Sequence, residues 1–233
     1  MIGYWLLQIM TDLTIIYLTA NRVPEKWAEY QRSVLLEASD GAPILSLSRL
    51  PVSLGTNVVY TEIEGISNIY RQMLKGAIMA STPFIAIAED DTLYPKEHFE
   101  CFRPPMDTFA YNMNRAGIFT WAKVPTYYWK TRFVNAVLIS PRQLMIDALE
   151  ERFKKYPKGM PINGELGRSN IEGKLGVSIR KSITFLSEIS VVRFDHDFGG
   201  DGSARRHTKR MGEVKAFDIP YWHRAEDLRA KFI

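Results

Sequence analysis

Hydrophobic and polar positions follow two different periods in the N-terminal part of the chain. The run Leu13–Thr19 is apolar and β-branched, which predicts a buried strand, and apolar residues three or four apart over residues 24–35 predict a helix. The same patterns predict a strand at 43–47, an amphipathic helix at 67–80 and a buried strand at 84–88. This alternation predicts an α/β fold with a mostly parallel central sheet flanked by helices.

The pattern changes after residue 91. Strand-like runs occur without long helices between them, one long helix follows at 141–156, and the segment 157–176 is rich in Gly, Pro and Asn, which predicts a loop or lid. The strand-like runs cover residues 108–111, 117–121, 133–139, 183–185 and 191–194. The second half of the chain should therefore extend the sheet with short strands.

Composition is that of an ordinary globular protein. The chain has 233 residues, of which 46% are hydrophobic and 24% charged, and we expect a single domain over residues 1–233. The one cysteine, Cys101, cannot form an internal disulfide, and the apolar stretch 4–10 is too short to span a bilayer. These features predict a cytoplasmic protein with no membrane partner, and they leave its oligomeric state open.

The positive charge is concentrated near the C-terminus. The net charge is +4, and residues 203–233 hold eight basic and four acidic residues, so the rest of the chain is neutral. A basic segment of this kind is typical of a surface that meets phosphate groups.

Three adjacent carboxylates, Glu89-Asp90-Asp91, directly follow the predicted strand at 84–88. Ligands of open α/β sheets bind at the carboxyl ends of the strands, where divalent cations use carboxylates together with substrate phosphates. The alternative interpretation is a solvated acidic turn. Because the three carboxylates repel one another, we expect Asp91→Asn to leave the thermal stability nearly unchanged.

The order of these motifs resembles the GT-A fold glycosyltransferases. The resemblance covers residues 13–91: a first strand ending Thr19-Ala20-Asn21-Arg22, a helix carrying Asn68 and Arg71, and the acidic triplet. It implies a single Rossmann-like GT-A domain with a nucleotide-sugar-binding half at 13–91, an acceptor half at 92–202 and a basic segment at 203–233.

In that family a D-x-D motif holds Mn²⁺ or Mg²⁺ on the diphosphate of the donor. By resemblance, Asp91 would be a metal ligand, Glu89 a second one and Asp90 a donor contact, although Glu89 departs from the Asp of the motif. The family often adds a C-terminal histidine, which favours His196 as a further ligand. His207 is the competing candidate, and with Lys209 and Arg210 it would contact the donor diphosphate, as would Thr19, Ala20, Asn21, Arg22, Asn68 and Arg71.

Transfer by inversion to a hydroxyl needs a general base, and carboxylates in the segment 157–176 are the candidates. Glu165 is the first choice and Glu172 the second, and either could also be an ordinary exposed loop residue. The predicted acceptor-side residues are aromatic or carry amides that can contact a sugar or a base: Tyr111, Asn112, Asn114 and Trp121. Retention of configuration remains the alternative to inversion.

The end of the chain narrows the resemblance to short bacteriophage-type glycosyltransferases, through Lys209-Arg210-Met211-Gly212-Glu213 and Asp218-Ile219-Pro220-Tyr221-Trp222. Some of these enzymes modify 5-hydroxymethylpyrimidines in DNA. The resemblance therefore implies a hexosyl- or pentosyltransferase with a UDP-sugar donor and 5-hydroxymethylcytosine in DNA as acceptor, located in the host cytoplasm if phage-encoded. The alternatives are a carbohydrate or protein hydroxyl as acceptor, a nucleotidyltransferase, and a non-catalytic DNA-binding module.

Overall fold

The computed structural model describes residues 11–61, 67–129, 132–197 and 215–233. The first part of the chain forms the predicted alternation of strands and helices. Its elements are β1 (Leu13–Thr19), α1 (Glu25–Ala38), β2 (Ile44–Ser48), β3 (Thr56–Val59), α2 (Asn68–Met79) and β4 (Phe84–Glu89). The predicted first strand is confirmed residue for residue, and the predicted helices differ from α1 and α2 by one to three residues at their ends.

The second part of the chain contains shorter elements. They are β5 (Thr92–Leu93), α3 (Lys96–Glu100), β6 (Thr108–Asn112), β7 (Arg115–Phe119), β8 (Tyr127–Trp129), β9 (Leu138–Pro141), α4 (Arg142–Lys155), α5 (Ser169–Leu175), β10 (Lys181–Phe185), β11 (Val191–Asp195), β12 (Lys215–Ala216), β13 (Asp218–Ile219), β14 (His223–Arg224) and α6 (Ala225–Phe232). A short 3₁₀ turn, Asn135–Val137, precedes β9.

The central sheet has seven strands in the order β10-β6-β9-β4-β1-β2-β3 among the described residues. Its strands all run in one direction except β9, which pairs antiparallel with both β4 and β6. The predicted α/β class with a mostly parallel central sheet is confirmed. Because β1 and β4 are parallel neighbours with Leu18 opposite Glu89, the loops after both strands emerge side by side.

A second, mixed sheet has the order β12-β8-β7-β11-β5. Strand β11 runs parallel to β7 and antiparallel to β5, with Arg193 opposite Thr92. This pairing brings the late strand β11 next to the residues that directly follow the acidic triplet.

Helices cover the central sheet closely. An added Cβ at Gly76 would lie 2.7 Å from Ile16 Cγ2, so glycine allows α2 to pack directly on β1. A smaller apolar core lies between α1, β11 and α6, where the Trp27 ring stands 4.5 Å from that of Phe194 and 4.8 Å from that of Phe232. The C-terminal helix is thereby fixed to the first helix.

Two predictions about the second half are wrong. The segment 157–176 is not a loop throughout, because residues 169–175 form α5, which ends at Gly176 with φ of 60°. The predicted strand at 133–139 begins only at Leu138, since the preceding residues form the 3₁₀ turn. No helix in the described ranges is long and apolar enough to cross a membrane.

Candidate functional site

The end of β1 is tied to the acidic triplet by a side-chain hydrogen bond. Thr19 Oγ1 donates to Asp90 Oδ2 at 2.5 Å and accepts from the backbone N–H of Asn21 at 2.9 Å. The parallel register of β1 and β4 makes this contact possible, because it sets both strand ends at the same edge of the sheet. Two of the residues predicted to contact the donor, Thr19 and Asp90, are therefore brought together.

Asn21 shapes the loop after β1. Its backbone has φ of 53°, in the left-handed region that asparagine tolerates better than most residues. Its Oδ1 accepts the backbone N–H groups of Arg49 and Leu50, each at 2.9 Å, which ties this loop to the one after β2. The two residues that flank Asn21, Ala20 and Arg22, are exposed at the sheet edge.

Helix α1 holds the backbone of the acidic turn. The indole N–H of Trp27 donates to the carbonyl of Asp90 at 2.8 Å, and Gln31 Nε2 donates to the carbonyl of Thr92 at 2.9 Å. Trp27 and Gln31 are one helical turn apart, so one face of α1 makes both contacts. The turn is therefore held by its backbone as well as by its side chains.

Arg193 is the cationic partner of the triplet. Its Nη2 lies 3.0 Å from Asp91 Oδ2 and 3.2 Å from Glu89 Oε2, so one guanidinium bridges the two carboxylates. The side chains of Asp91 and Glu89 are only 9% and 12% exposed. Sequence analysis missed this residue, although an arginine within the otherwise apolar run Val191-Val192-Arg193-Phe194 was a visible signal.

Burial and these partners separate the pKa values of the carboxylates. Burial raises the pKa of Glu89 to about 7 against the opposing effect of Arg193, and it raises the pKa of Asp90 to about 6. Burial acts in the same direction on Asp91, but Arg193 and His196 outweigh it and hold its pKa well below the usual range. Asp91 is thus the carboxylate that stays ionised across the physiological range.

His196 also faces this carboxylate. Its Nε2 lies 3.7 Å from Asp91 Oδ2, and its side chain is largely buried beside the Phe232 ring. The preceding residue, Asp195, accepts a short hydrogen bond from the Tyr128 hydroxyl, and burial raises its pKa to about 7. The end of β11 therefore adds an imidazole and a fourth carboxylate near the triplet.

The predicted metal ligands fit a divalent cation in part. Among the described residues no group of three or more His, Cys, Asp or Glu side chains is arranged to hold a metal ion. Asp91 and His196 do converge, and carboxylate and imidazole are both ligands of Mn²⁺. Arg193 pairs with both Glu89 and Asp91, so either carboxylate would have to exchange that partner for the cation. Among the described residues Asp91 and His196 are thus the two candidate ligands, and phosphate and water could supply others.

The two α2 residues predicted to contact the donor differ in their surroundings. Arg71 donates to the carbonyl of Pro157 at 2.6 Å and stacks its guanidinium 4.5 Å from the Phe153 ring, so it supports the segment after α4. Asn68 begins α2, and its buried Oδ1 has no hydrogen-bond partner among the described residues. Of the two, only Asn68 has an unused acceptor.

The two candidate bases occupy opposite environments. Glu165 is partly exposed and pairs with Arg168 at 2.9 Å. Glu172 has no exposed side-chain surface, accepts the backbone N–H groups of Gly167 and Arg180 at 2.8 Å each, and lies 3.7 Å from buried Arg152. These contacts occupy Glu172 in fixing the loop before α5, so of the two only Glu165 is open to solvent.

A chain of contacts around the 3₁₀ turn connects the Glu165 region with the triplet. The backbone N–H of Glu89 donates to the Tyr94 hydroxyl at 2.9 Å, and that hydroxyl donates to the carbonyl of Ala136 at 2.9 Å. On the other side of the turn, burial raises the pKa of Tyr70, which hydrogen-bonds the Asn135 side chain and the backbone of Gly164, next to Glu165. Tyr94 was not singled out by sequence analysis.

The predicted acceptor residues separate into core and periphery. Tyr111 and Asn112 have no exposed surface: the Tyr111 ring stacks on Phe133 at 4.3 Å, and Asn112 Nδ2 donates to Ser187 Oγ at 2.7 Å. Asn114 donates to the carbonyl of Ser187 at 2.8 Å. Their position on the buried strand β6 or in its following turn explains these packing roles.

Trp121 and the basic segment complete the predicted set. Trp121 follows β7, is partly buried, and has its ring 5.0 Å from that of Phe119. His207, Lys209 and Arg210 lie outside the described residues.

No protein-family model matches the sequence, and no curated protein matches it. Solved structures do resemble it at low identity. The mannosyltransferase PcManGT from Pyrobaculum calidifontis, in complex with GDP-Man and Mn²⁺, is 14% identical over 84% of this chain and 59% of its own, with a TM-score of 0.49. A glycosyltransferase involved in the glycosylation of the major capsid of PBCV-1 is 11% identical over 84% of this chain and 98% of its own, with a TM-score of 0.48.

A bifunctional IspDF from Campylobacter jejuni is also similar, with 12% identity over 76% of this chain, 50% of its own and a TM-score of 0.43. The chain spans about half the length of the first structures it matches.

Proposed function

We propose that this protein is a glycosyltransferase that moves a sugar from a nucleotide-diphosphate sugar to a hydroxyl acceptor. The observation that carries the proposal is the acidic turn after β4, in which Asp91 stays ionised beside His196 while Asp90 is bound to the end of β1. Ligands of mostly parallel sheets bind at this edge, and a buried ionised carboxylate there is suited to a cation-bound diphosphate.

The donor would lie across the ends of β1 and β4. The loop Ala20-Asn21-Arg22, in which Ala20 and Arg22 are exposed, and the partly buried Asn68 are the contacts we assign to the nucleotide and its phosphates. Asp91 and His196 would hold Mn²⁺ or Mg²⁺ when the donor is bound. The metal would neutralise charge that develops on the leaving diphosphate. A UDP-sugar is the donor that we test first.

Glu165 is the residue we assign as general base. Its carboxylate is partly exposed, and the ion pair with Arg168 limits its rotamers. The contacts through Tyr70, the 3₁₀ turn and Tyr94 join its loop to the acidic turn. Glu165 would accept the proton of the acceptor hydroxyl as that oxygen attacks the anomeric carbon.

The proposal also names an acceptor. The sequence resemblance favours 5-hydroxymethylcytosine in DNA, with the basic residues of 203–210 contacting phosphates. An enzyme acting on a base inside a duplex must flip that base out of the stack. A carbohydrate or protein hydroxyl is the other acceptor class.

One experiment tests both the transfer reaction and the identity of the acceptor. The protein is incubated with Mn²⁺, a panel of nucleotide sugars and DNA that contains or lacks 5-hydroxymethylcytosine, and the digested nucleosides are examined by mass spectrometry. We expect a hexose or pentose mass increment on the modified nucleoside only. Asp91→Asn should abolish it, whereas Asp107→Asn, at an exposed carboxylate paired with Lys181, should not.

The possible outcomes separate the alternatives. Nucleotide-sugar hydrolysis without DNA modification would reject the DNA acceptor and keep the transferase. Binding of DNA without Mn²⁺ and without any turnover of a nucleotide sugar would favour the non-catalytic module.

A further inference from the structure

A cleft lies between α1 and the C-terminal elements, apart from the acidic turn. It has a volume of about 680 Å³, and its walls include Tyr30 and Glu37 of α1 and Tyr221, Asp227 and Lys231 of the C-terminal part. A second cleft of about 380 Å³ shares Tyr30, Ser33 and Lys231 with it. The two form one elongated groove of the size range in which proteins bind small ligands.

Two tyrosine rings line the groove, and Tyr221 is the exposed one. Tyr221 is 51% exposed, and its ring stands perpendicular to that of Trp222 at 4.6 Å. Trp222 is itself buried, and its Nε1 donates to the carbonyl of Ser190 at 2.6 Å. Its ring is therefore a fixed support for the Tyr221 ring. Tyr30 is partly buried, with Lys231 Nζ 4.3 Å from its ring centroid.

The turn that presents Tyr221 is sterically unfavourable. It connects β13 to β14, and both Tyr221 and His223 adopt the left-handed region, with φ of 72° and 58°. A bulky aromatic residue is rarely found there, and glycine would occupy the same backbone without that cost. A tyrosine kept in a strained, exposed turn at the rim of a cleft indicates a use for its ring.

Charges in the groove balance, which argues against an anionic ligand. Three lysines face three carboxylates across the two clefts: Lys26, Lys96 and Lys231 with Glu29, Glu37 and Asp227. Lys96 is already paired with Asp40 at 2.8 Å and with Glu100 at 3.3 Å. A diphosphate or a nucleic acid would meet repulsion from the carboxylates, whereas a neutral ligand rich in hydroxyls can donate to them and accept from the lysines.

We propose that this groove binds a neutral oligosaccharide. The face of a sugar ring would pack on the exposed ring of Tyr221, and hydroxyl groups would hydrogen-bond with Glu37 and Asp227. The groove is distinct from the acidic turn, because Trp27 and Gln31 hold that turn from a neighbouring face of α1. The inference therefore does not depend on the proposed transfer reaction.

The test is direct binding by the full chain. Maltotetraose, cellotetraose, chitotetraose and mannotetraose are titrated by saturation-transfer NMR and calorimetry, each without donor or metal. We expect at least one of them to bind and Tyr221→Ala to weaken that binding about tenfold. Phe217→Ala is the matched control, since Phe217 is exposed just before the same hairpin and does not line the groove.

Tyr221→Gly tests whether a loss of binding comes from the missing ring or from unfolding. Because glycine suits the left-handed backbone, this variant should melt no lower than the wild type while losing saccharide binding to the same extent as Tyr221→Ala. Asp91→Asn should bind the saccharide as the wild type does, so a failed transfer assay leaves this inference intact. Absence of binding by all four tetrasaccharides would overturn it, as would equal losses in the Phe217 and Tyr221 variants.

Discussion

Arg193 Nη2 lies 3.0 Å from Asp91 Oδ2, although the two residues are 102 positions apart in the sequence. The pairing of β11 with β5 sets this distance, because it places Arg193 opposite the residue that follows Asp91. A second contact from the same nitrogen to Glu89 makes the guanidinium common to both carboxylates. Arg193 therefore offsets part of the repulsion within the acidic turn, in which Asp91 and Asp90 still raise the pKa of Glu89.

Removing the positive charge of Arg193 should destabilise the fold. Breaking a buried ion pair from one side leaves uncompensated charge, so we expect Arg193→Met to lower the free energy of unfolding by about 3 kcal/mol, measured by urea denaturation. Arg224→Met is the control, because Arg224 pairs with Glu226 on an exposed surface and its loss should cost less than about 1 kcal/mol. Equal losses in the two variants would contradict a buried network.

Asp91→Asn should also lose stability, contrary to the expectation from sequence. The amide leaves Arg193 with Glu89 as its remaining partner and removes the charge that faces His196. We expect a loss of about 2 kcal/mol, with a smaller additional loss when Arg193→Met is combined with it. A double-mutant cycle by thermal or urea unfolding measures that coupling, and fully additive losses would show that the two side chains do not interact.

Stability should fall as the pH rises from about 4.5 to 7. Glu89, Asp90 and Asp195 have raised pKa values of about 7, 6 and 7, so in this range the folded protein binds more protons than the unfolded chain. Buried His98 opposes this trend, because burial lowers its pKa to about 3. Asp91 contributes stability that is present above its usual pKa and lost below it.

The difference between wild type and Glu89→Gln isolates one carboxylate. His98, whose pKa is shifted by burial alone, cancels in that difference, so the wild type should lose stability relative to the variant as the pH rises towards 7, by up to about 1.4 kcal/mol per pH unit. Urea denaturation at a series of pH values measures the slope. A difference that is independent of pH would mean that Glu89 titrates alike in the folded and unfolded protein.

Asn21 should be sensitive to the loss of its side-chain oxygen. Asn21→Ala removes the acceptor of two backbone N–H groups and places alanine at positive φ, which we expect to cost about 2 kcal/mol. Asn21→Asp keeps the acceptor and the tolerance for this backbone, so its loss should stay below about 1 kcal/mol. Chemical denaturation with an unchanged m-value is the measurement, and equal losses would contradict the role of Oδ1.

Glu165 and Glu172 should respond in opposite ways. Glu165→Gln should lower turnover by about a hundredfold or more with donor binding and stability retained, if it is the base. Glu172→Gln should instead lower the unfolding free energy by about 3 kcal/mol, because the buried Arg152 and two backbone N–H groups lose their charged partner. Unchanged turnover in the Glu165 variant would exclude it as base.

The central sheet was predictable because its signals are local. The run Leu13–Thr19 is apolar, aromatic or β-branched at every position, which is typical of a strand buried between neighbours. The acidic triplet was also visible, since its position depends only on the end of β4. Both features follow from residues that are adjacent in the sequence.

The partners of the triplet were not predictable in the same way. Arg193 and Tyr94 reach it through pairing and packing that no short window of sequence contains. Glu172 looked like an exposed loop residue because the helix α5 that buries it is only seven residues long and lies in a segment rich in glycine. Its buried partner Arg152 looked like one more charge at the end of a long helix.

The pairing of β5 with β11 also sets an order of events during synthesis. The ribosome releases Glu89-Asp90-Asp91 about a hundred residues before Arg193, so a nascent chain holds these acids beside β1 with their guanidinium still to come. Until β11 arrives, the growing chain must keep this turn hydrated or protonated. The acidic edge is therefore completed only after β11 has left the ribosome.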